Sequence, residues 1–254
     1  MFKDSSNILR SLTPVGRQVM LELSPRESST TLDVVAKEVL SNPSYTNDTK
    51  GRILESHIIT SLEINKLWQA CAVRYQKTKK GKKSNKIDEL KMNVQLSDVC
   101  RFAGMGVPSV SSGADLTKST LFVPNNPNYP DVDLLVWDIV SSTLFAIQVT
   151  VREKVKDHMD ECKWDIERSD KDGNALPSLS DAWKTYAKAS NVELVWVSDN
   201  ADFGDNFEGT HTHNTHTHTQ METNVTNVSH AEWLVLLPDL NHLFPVLCDY
   251  KRSA

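Results

Sequence analysis

Long apolar runs are missing from this 254-residue sequence, and no stretch approaches the length of a membrane span. The N-terminus, Met1-Phe2-Lys3-Asp4-Ser5, has no hydrophobic signal core, so an intracellular protein is expected. An upstream secretion or targeting region in a longer parent stays open. Cysteine is scarce. Cys71, Cys100, Cys162 and Cys248 are widely spaced and form no C-x-x-C pair, which reads as a reduced chain without a disulfide framework. Positive charge is not in excess either. With 28 Lys and Arg against 33 Asp and Glu, the net charge is −5, so any nucleic acid would be met by a local patch. Glycine signatures are absent: Gly104-x-Gly106 lacks the third glycine and the strand-to-helix setting of a dinucleotide site, and there is no P-loop. No G-x-S-x-G elbow occurs, and no His stands at a strand end beside a Ser/Asp partner. Nucleotide hydrolysis and serine-nucleophile chemistry are thereby disfavoured.

What is present centres on Asn128-Tyr129-Pro130-Asp131-Val132-Asp133-Leu134-Leu135-Val136-Trp137, followed by Leu144-Phe145-Ala146-Ile147-Gln148-Val149-Thr150-Val151. Both runs are short, β-branched-rich and bounded by turn residues, which predicts adjacent buried strands joined by a tight turn around 141–143. Strand alternation puts Asp131, Asp133, Leu135 and Trp137 on one face, and Leu144, Ala146, Gln148 and Thr150 on one face of the next strand. Polar groups on the inner face of a core strand are costly unless hydrogen-bonded or metal-bound. That cost marks a candidate site.

Elsewhere, residues 1–50 read as a loosely structured lead-in with a short helix from Thr31 to Leu40. Helical spacing of Leu54, Ile58, Leu62, Leu67, Trp68 and Cys71 predicts a helix over 51–75, with Asp48 or Thr49 as N-cap. Glu55 lies beside its apolar stripe. It is either a first-turn carboxylate near the positive helix end or a site residue. Lysines crowd 77–86, making a solvated loop first and a phosphate-contacting loop second; as a nuclear-import signal the run is plausible but unspecific. A further helix is expected near Ile87 to Phe102 and a strand from Thr120 to Val123. A charged helical extension is expected from Arg152 to Arg168, and a helix capped by Ser178 or Ser180 runs through Trp183, Tyr186 and Ala187. Strands are expected over Val192 to Val197 and Trp233 to Leu237. Between them, residues 199–229 form a low-complexity insertion. Its tract His211-Thr212-His213-Asn214-Thr215-His216-Thr217-His218 can bind Zn or Ni adventitiously but is expected to be disordered. Strands alternating with helices point to an α/β or α+β sandwich with a mixed sheet.

Among the polar residues, Glu55, Asp133, Gln148 and Thr150 remain. Hard divalent cations take oxygen ligands, and phosphodiester hydrolysis uses such an ion to neutralise phosphate charge and activate water. The bland alternative is that Asp131 and Asp133 cap a turn while Gln148 bonds the backbone, and spacing alone favours it.

At these residues the chain resembles the C-terminal nuclease-like domain of Crinkler effectors and retrotransposon hot spot proteins. The likeness lies in Leu121-Phe122-Val123-Pro124, in Asn128-Tyr129-Pro130-x-x-Asp133 and in Gln148-Val149-Thr150, with a later His at His158. Gly51-Arg52-Ile53-Leu54-Glu55 looks like that group's leading helix, and Leu194-Val195-Trp196-Val197 like its later strand. The likeness spans roughly residues 50–240, but its distinctive part is some thirty residues. The group is regarded as a branch of the restriction-endonuclease-like, PD-(D/E)xK superfamily. The resemblance implies an αβββαβ core over residues 51–254 and metal-dependent cleavage of DNA with Mg²⁺ or Mn²⁺. By position, Asp133 would bind the metal, Gln148 would replace the usual acidic ligand, Glu55 would be the helix carboxylate, and the Val149 carbonyl a further ligand. Thr150 stands where a lysine is usual, so Lys154 or Lys156 is the substitute for phosphate contact. Lys79, Lys80, Lys82 and Lys83 are the expected nucleic-acid-binding residues. DNA is the expected partner, with no membrane, and protein partners or a homo-oligomer remain open. The alternative is a catalytically inactive nuclease fold that binds DNA or protein as an effector module.

Overall fold

The computed structural model describes residues 29–77, 84–108, 115–126, 129–130, 132–151, 164, 168–169, 175–199, 210–219, 222–245 and 247–248. Two helices, α1 (Ser29–Ser41) and α2 (Asn47–Asn65), precede six strands: β1 (Leu67–Lys77), β2 (Ser84–Gln95), β3 (Asp98–Phe102), β4 (Thr120–Pro124), β5 (Leu134–Asp138) and β6 (Thr143–Thr150). After a small ribbon, β7 (Arg168–Ser169) with β8 (Ala175–Leu176), come α3 (Leu179–Ala187), β9 (Asn191–Ser198), β10 (Thr210–Thr219) and β11 (Glu222–Leu236). The chain is therefore α+β with one large mixed sheet. Its strand order is β2-β1-β11-β9-β6-β5-β4-β3, and β10 pairs with β11. β9 runs parallel to both β6 and β11, and β3 parallel to β4; the other pairs are antiparallel.

Each core strand is buried on both sides, and alternation sorts its residues between two cores. Leu121, Val123, Leu134, Val136, Phe145, Ile147, Val195 and Val235 join Leu54, Ile58 and Leu62 of α2, with Ala36, Val39 and Leu40 of α1. Phe122, Leu135, Trp137, Leu144, Ala146, Leu194 and Trp196 join Leu179, Trp183 and Ala187 of α3. The sheet is thus sandwiched, aliphatic toward α1 and α2 and aromatic toward α3. Leu54, Ile58 and Leu62 are fully buried, and each such side chain contributes about 1.5–3 kcal/mol by leaving water.

Several expectations are corrected here. Residues 29–50 are not a loose lead-in, because α1 packs into the core and its Asp33 is buried. Asp33 Oδ1 meets His57 Nε2 at 3.2 Å and accepts the Leu247 N–H at 3.1 Å, tying α1, α2 and the C-terminal segment together. The α2 cap is Thr46, whose hydroxyl oxygen accepts the Thr49 N–H at 3.3 Å, while Asp48 pairs with Arg52. The helix ends at Lys66, which takes the left-handed conformation (φ 55°) and donates its N–H to Leu62 O. No glycine announces that stop, which is why the apolar spacing seemed to continue. Leu67, Trp68 and Cys71 instead lie on β1, where Trp68, Ala70 and Ala72 point inward at every second residue. The helix expected over Ile87 to Phe102 is replaced by β2 and β3. Met92 and Val94 are buried in β2, between exposed Lys91, Asn93 and Gln95. The tract expected to be disordered is paired as strand β10. Of the extension over Arg152 to Arg168, only Trp164, in the aromatic core, and Arg168, in β7, fall within the described residues. None of the described helices is long and apolar enough to cross a membrane.

Candidate functional site

Asp133 sits one residue before β5, and the segment leading to it is clasped from below. The Tyr129 hydroxyl accepts the Trp183 indole N–H at 2.7 Å and donates to Gly106 O at 3.2 Å. Phe102 stands edge-on to both rings, with centroids at 5.3 Å and 5.5 Å. A buried phenol needs such partners, and here they come from α3 and from the loop after β3. Ser178 caps α3 by accepting the Asp181 N–H at 3.0 Å, which fixes the helix that carries Trp183. The aromatic of the Asn-Tyr-Pro segment is therefore a strut between three parts of the chain.

Above this clasp, the Asp133 N–H donates to Ile147 O at 2.9 Å, and its Oδ2 accepts the Val149 N–H at 2.6 Å. The carboxylate is thus pinned to the backbone on the far side of Gln148. A short bond from a backbone donor to a carboxylate is of the charge-assisted kind. Val149 engages the site through its N–H; the ligand expected from the resemblance was its carbonyl.

Gln148 is half-buried and Thr150 is buried. Both continue the face of Leu144 and Ala146 toward α3, and β9 pairs Gln148 with Trp196 and Thr150 with Ser198. Glu55, also half-buried, belongs to α2 on the opposite face of the sheet. It lies one turn on from Gly51, where an added Cβ would meet Val151 Cγ2 at 3.8 Å. This stretch of α2 thus rests over the end of β6. The fold brings Asp133, Gln148 and Val149 together and leads Glu55 toward the same strand end from the other side.

Lys79, Lys80, Lys82, Lys83, Asp131, Lys154, Lys156 and His158 lie outside the described residues. β1 is antiparallel to β11, with Val73 opposite Leu234, and β11 is parallel to β9. Lys77, at the end of β1, therefore lies toward the opposite end of the sheet from Gln148 and Thr150. Among the described residues, no three His, Cys, Asp or Glu side chains gather so as to hold a metal ion.

One carboxylate was overlooked. Glu232 is fully buried on β11 and accepts the Trp196 indole N–H at 3.2 Å, directly beside the row that holds Gln148. Its signal was visible: an acidic residue interrupts the apolar run Trp233-Leu234-Val235 at its start, and a buried charge needs partners.

With fold and geometry defined as an α+β domain bearing a polar cluster at one strand end, comparison with protein-family models, curated proteins and solved structures returned no match.

Proposed function

We propose that the chain is a metal-dependent nuclease domain that hydrolyses DNA phosphodiester bonds, of the Crinkler and retrotransposon hot spot kind. The observation that carries this reading is the Asp133 carboxylate, locked to the Val149 N–H beside Gln148 at the end of a central strand. The element order supports it too. The antiparallel run β4-β5-β6, then α3 and β9 returning parallel to β6, is consistent with the βββαβ part of a restriction-endonuclease-like core, with β1, β2 and β3 standing between α2 and that run.

The donor set fits Mg²⁺ or Mn²⁺ in kind, since Asp133, Gln148 and Glu55 all offer hard oxygens. When bound, such an ion neutralises phosphate charge and lowers the pKa of a water that attacks phosphorus. Asp133 supplies the fixed negative charge, and its bond to Val149 holds one oxygen so that the carboxylate cannot swing away. Gln148 contributes a neutral amide oxygen, so the cation is held less tightly than in an all-acidic site. The Thr150 hydroxyl orients by hydrogen bonding but brings no positive charge to the phosphate.

The test uses the purified chain with Mg²⁺ or Mn²⁺ and supercoiled or linear DNA. Nicking is expected for the unaltered protein, and Asp133→Ala is expected to lower the rate by at least about a hundredfold while DNA binding persists, as for loss of a major electrostatic stabiliser. DNA left intact by the unaltered protein at concentrations where it binds ends the enzyme reading. The buried Thr150, in the place of a lysine, favours the second reading, an inactive nuclease fold that serves as a binding module. Under it, binding and biological effect survive Asp133→Ala unchanged.

A further inference from the structure

β2 and β3 stand at the two ends of the sheet order, so among the described strands each pairs on one side only. Such an edge turns a row of backbone groups outward. Hydrogen bonds at the strand ends fix which residues those are. The Leu96 N–H reaches Lys66 O at 2.7 Å, so by alternation the N–H groups of Val94, Met92 and Leu90 point to β1. Those of Gln95, Asn93, Lys91 and Glu89 point away from it. On β3, the Asp98 N–H donates to Ser119 O at 3.3 Å and Phe102 O accepts the Asn125 N–H at 2.8 Å, so Val99 faces outward.

Two of these outward donors are already taken. The Glu89 N–H donates to Asp88 Oδ1 at 2.9 Å, and the Val99 N–H to Asp98 Oδ1 at 2.8 Å. The same arrangement, a carboxylate folded onto the outward N–H of the next residue, thus stands at both ends of the sheet. An incoming strand has to displace that acceptor before its own carbonyl can bond, and it meets a negative charge in doing so. The β1–β2 register also shifts between Arg74 and Tyr75, where Arg74 faces Asp88, which limits the regular edge to 88–95.

The strand that this edge suits is another β2. In an antiparallel pair built on the outward groups, odd-numbered residues face odd-numbered ones. A two-fold axis at Leu90 then sets Glu89 of each copy opposite Lys91 of the other, an opposite-charge pair made twice. Both side chains are exposed, while Met92 and Val94 point into the core. The next allowed registers on either side set Glu89 against Glu89, or Lys91 against Lys91. The charge-matched register needs a bond from the Glu89 N–H to Lys91 O, and that N–H is the one Asp88 holds.

We propose that β2 is a pairing edge for a second copy of this chain and that the Asp88 carboxylate keeps it closed. Release of that carboxylate frees one backbone donor per copy, so two bonds become available to the symmetric pair.

The experiment follows the full chain by sedimentation velocity over a concentration series. Asp88→Ala should form a dimer at about tenfold lower concentration than the unaltered protein, as two added backbone bonds would give. Asp88→Asn keeps an acceptor oxygen and should behave as the unaltered protein. Adding Lys91→Glu to Asp88→Ala sets like charges opposite each other and should abolish the gain. Asp88 is exposed, so the variants should keep the far-UV circular dichroism of the parent. Amide exchange at Glu89 gives a second reading: faster than the parent in dilute Asp88→Ala, and slower once the dimer forms. Three results overturn the proposal: no gain in association for Asp88→Ala, an equal gain for Asp88→Asn, or a gain that survives Lys91→Glu. None of these readouts involves cleavage, so failure here and failure of the nuclease reading are separate outcomes.

Discussion

The two faces of the sheet are built differently. Toward α1 and α2 the core is chiefly Leu, Ile and Val, with Trp68, Trp233 and the Asp33–His57 pair as its polar members. Toward α3 it holds Phe102, Phe122, Tyr129, Trp137, Trp164, Trp183 and Trp196. Three of those indoles reach specific acceptors: Trp137 donates to Leu116 O at 3.1 Å, Trp183 to Tyr129 and Trp196 to Glu232. An aliphatic layer tolerates changes of shape at low energy, because its neighbours can shift. An aromatic layer wired by hydrogen bonds fixes loop positions, because each ring has one orientation that satisfies its donor. The candidate site lies on the wired side, where Asp133 emerges from the Tyr129 clasp.

The largest effect that could break this contrast comes from Trp183→Ala, which should destabilise the protein by about 3–5 kcal/mol in urea unfolding. It should also release the 129–133 segment, seen as faster amide exchange at Val149. Next, Tyr129→Phe removes one oxygen and leaves the Trp183 N–H buried without its acceptor, an expected loss of about 1–3 kcal/mol. On the aliphatic side, Ile58→Val removes one methylene from a fully buried residue and should lose about 0.5–1.5 kcal/mol. If Ile58→Val proves costlier than Tyr129→Phe, the two faces do not differ in the way described.

The smallest effect is one of pH. His242 lies in the C-terminal segment that covers the aliphatic side, and its Nε2 accepts the Gln69 N–H at 3.3 Å. Burial holds this imidazole below its ordinary value of 6.5, with a backbone hydrogen bond at Leu67 acting in the opposite sense. The unfolded chain therefore takes up the proton first. Stability from this group is complete above pH 6.5 and declines as pH falls from there toward the lower folded-state value. The urea midpoint followed across that range should slope downward on acidification, and His242→Gln should flatten the slope.

What could be read in advance follows from how unambiguous each pattern is. β4, β5, β6 and β9 are short apolar runs between turn residues, and the Ser178 cap has its own side-chain signature; these were legible. β1 and β2 were not, because Leu67 and Trp68 stand four and three residues before Cys71, a spacing that a helix also gives. Only Lys66, a left-handed residue without glycine's usual mark, separates them. At the site, Asp133 and Gln148 stood out as polar residues in apolar strands, but the bond from Val149 to Asp133 depends on strand register. Glu232 was missed because its partner Trp196 is distant in sequence and adjacent only through parallel pairing.

The place of β11 has a consequence for how the chain assembles. It is the last of the described strands in sequence, yet it lies between β1 and β9 in the interior of the sheet. During synthesis the β1–β2 hairpin and the β3–β9 half can each form on their own, since most of their pairings are local. They stay two separate pieces with open edges until the final strand leaves the ribosome and closes the gap. Joining partners so far apart in sequence is slow, and exposed edges recruit other chains in the interval. A truncation before β11 would leave two half-sheets joined only through the α1–α2 core and the β2–β3 turn, so the closing strand decides whether the sheet is continuous.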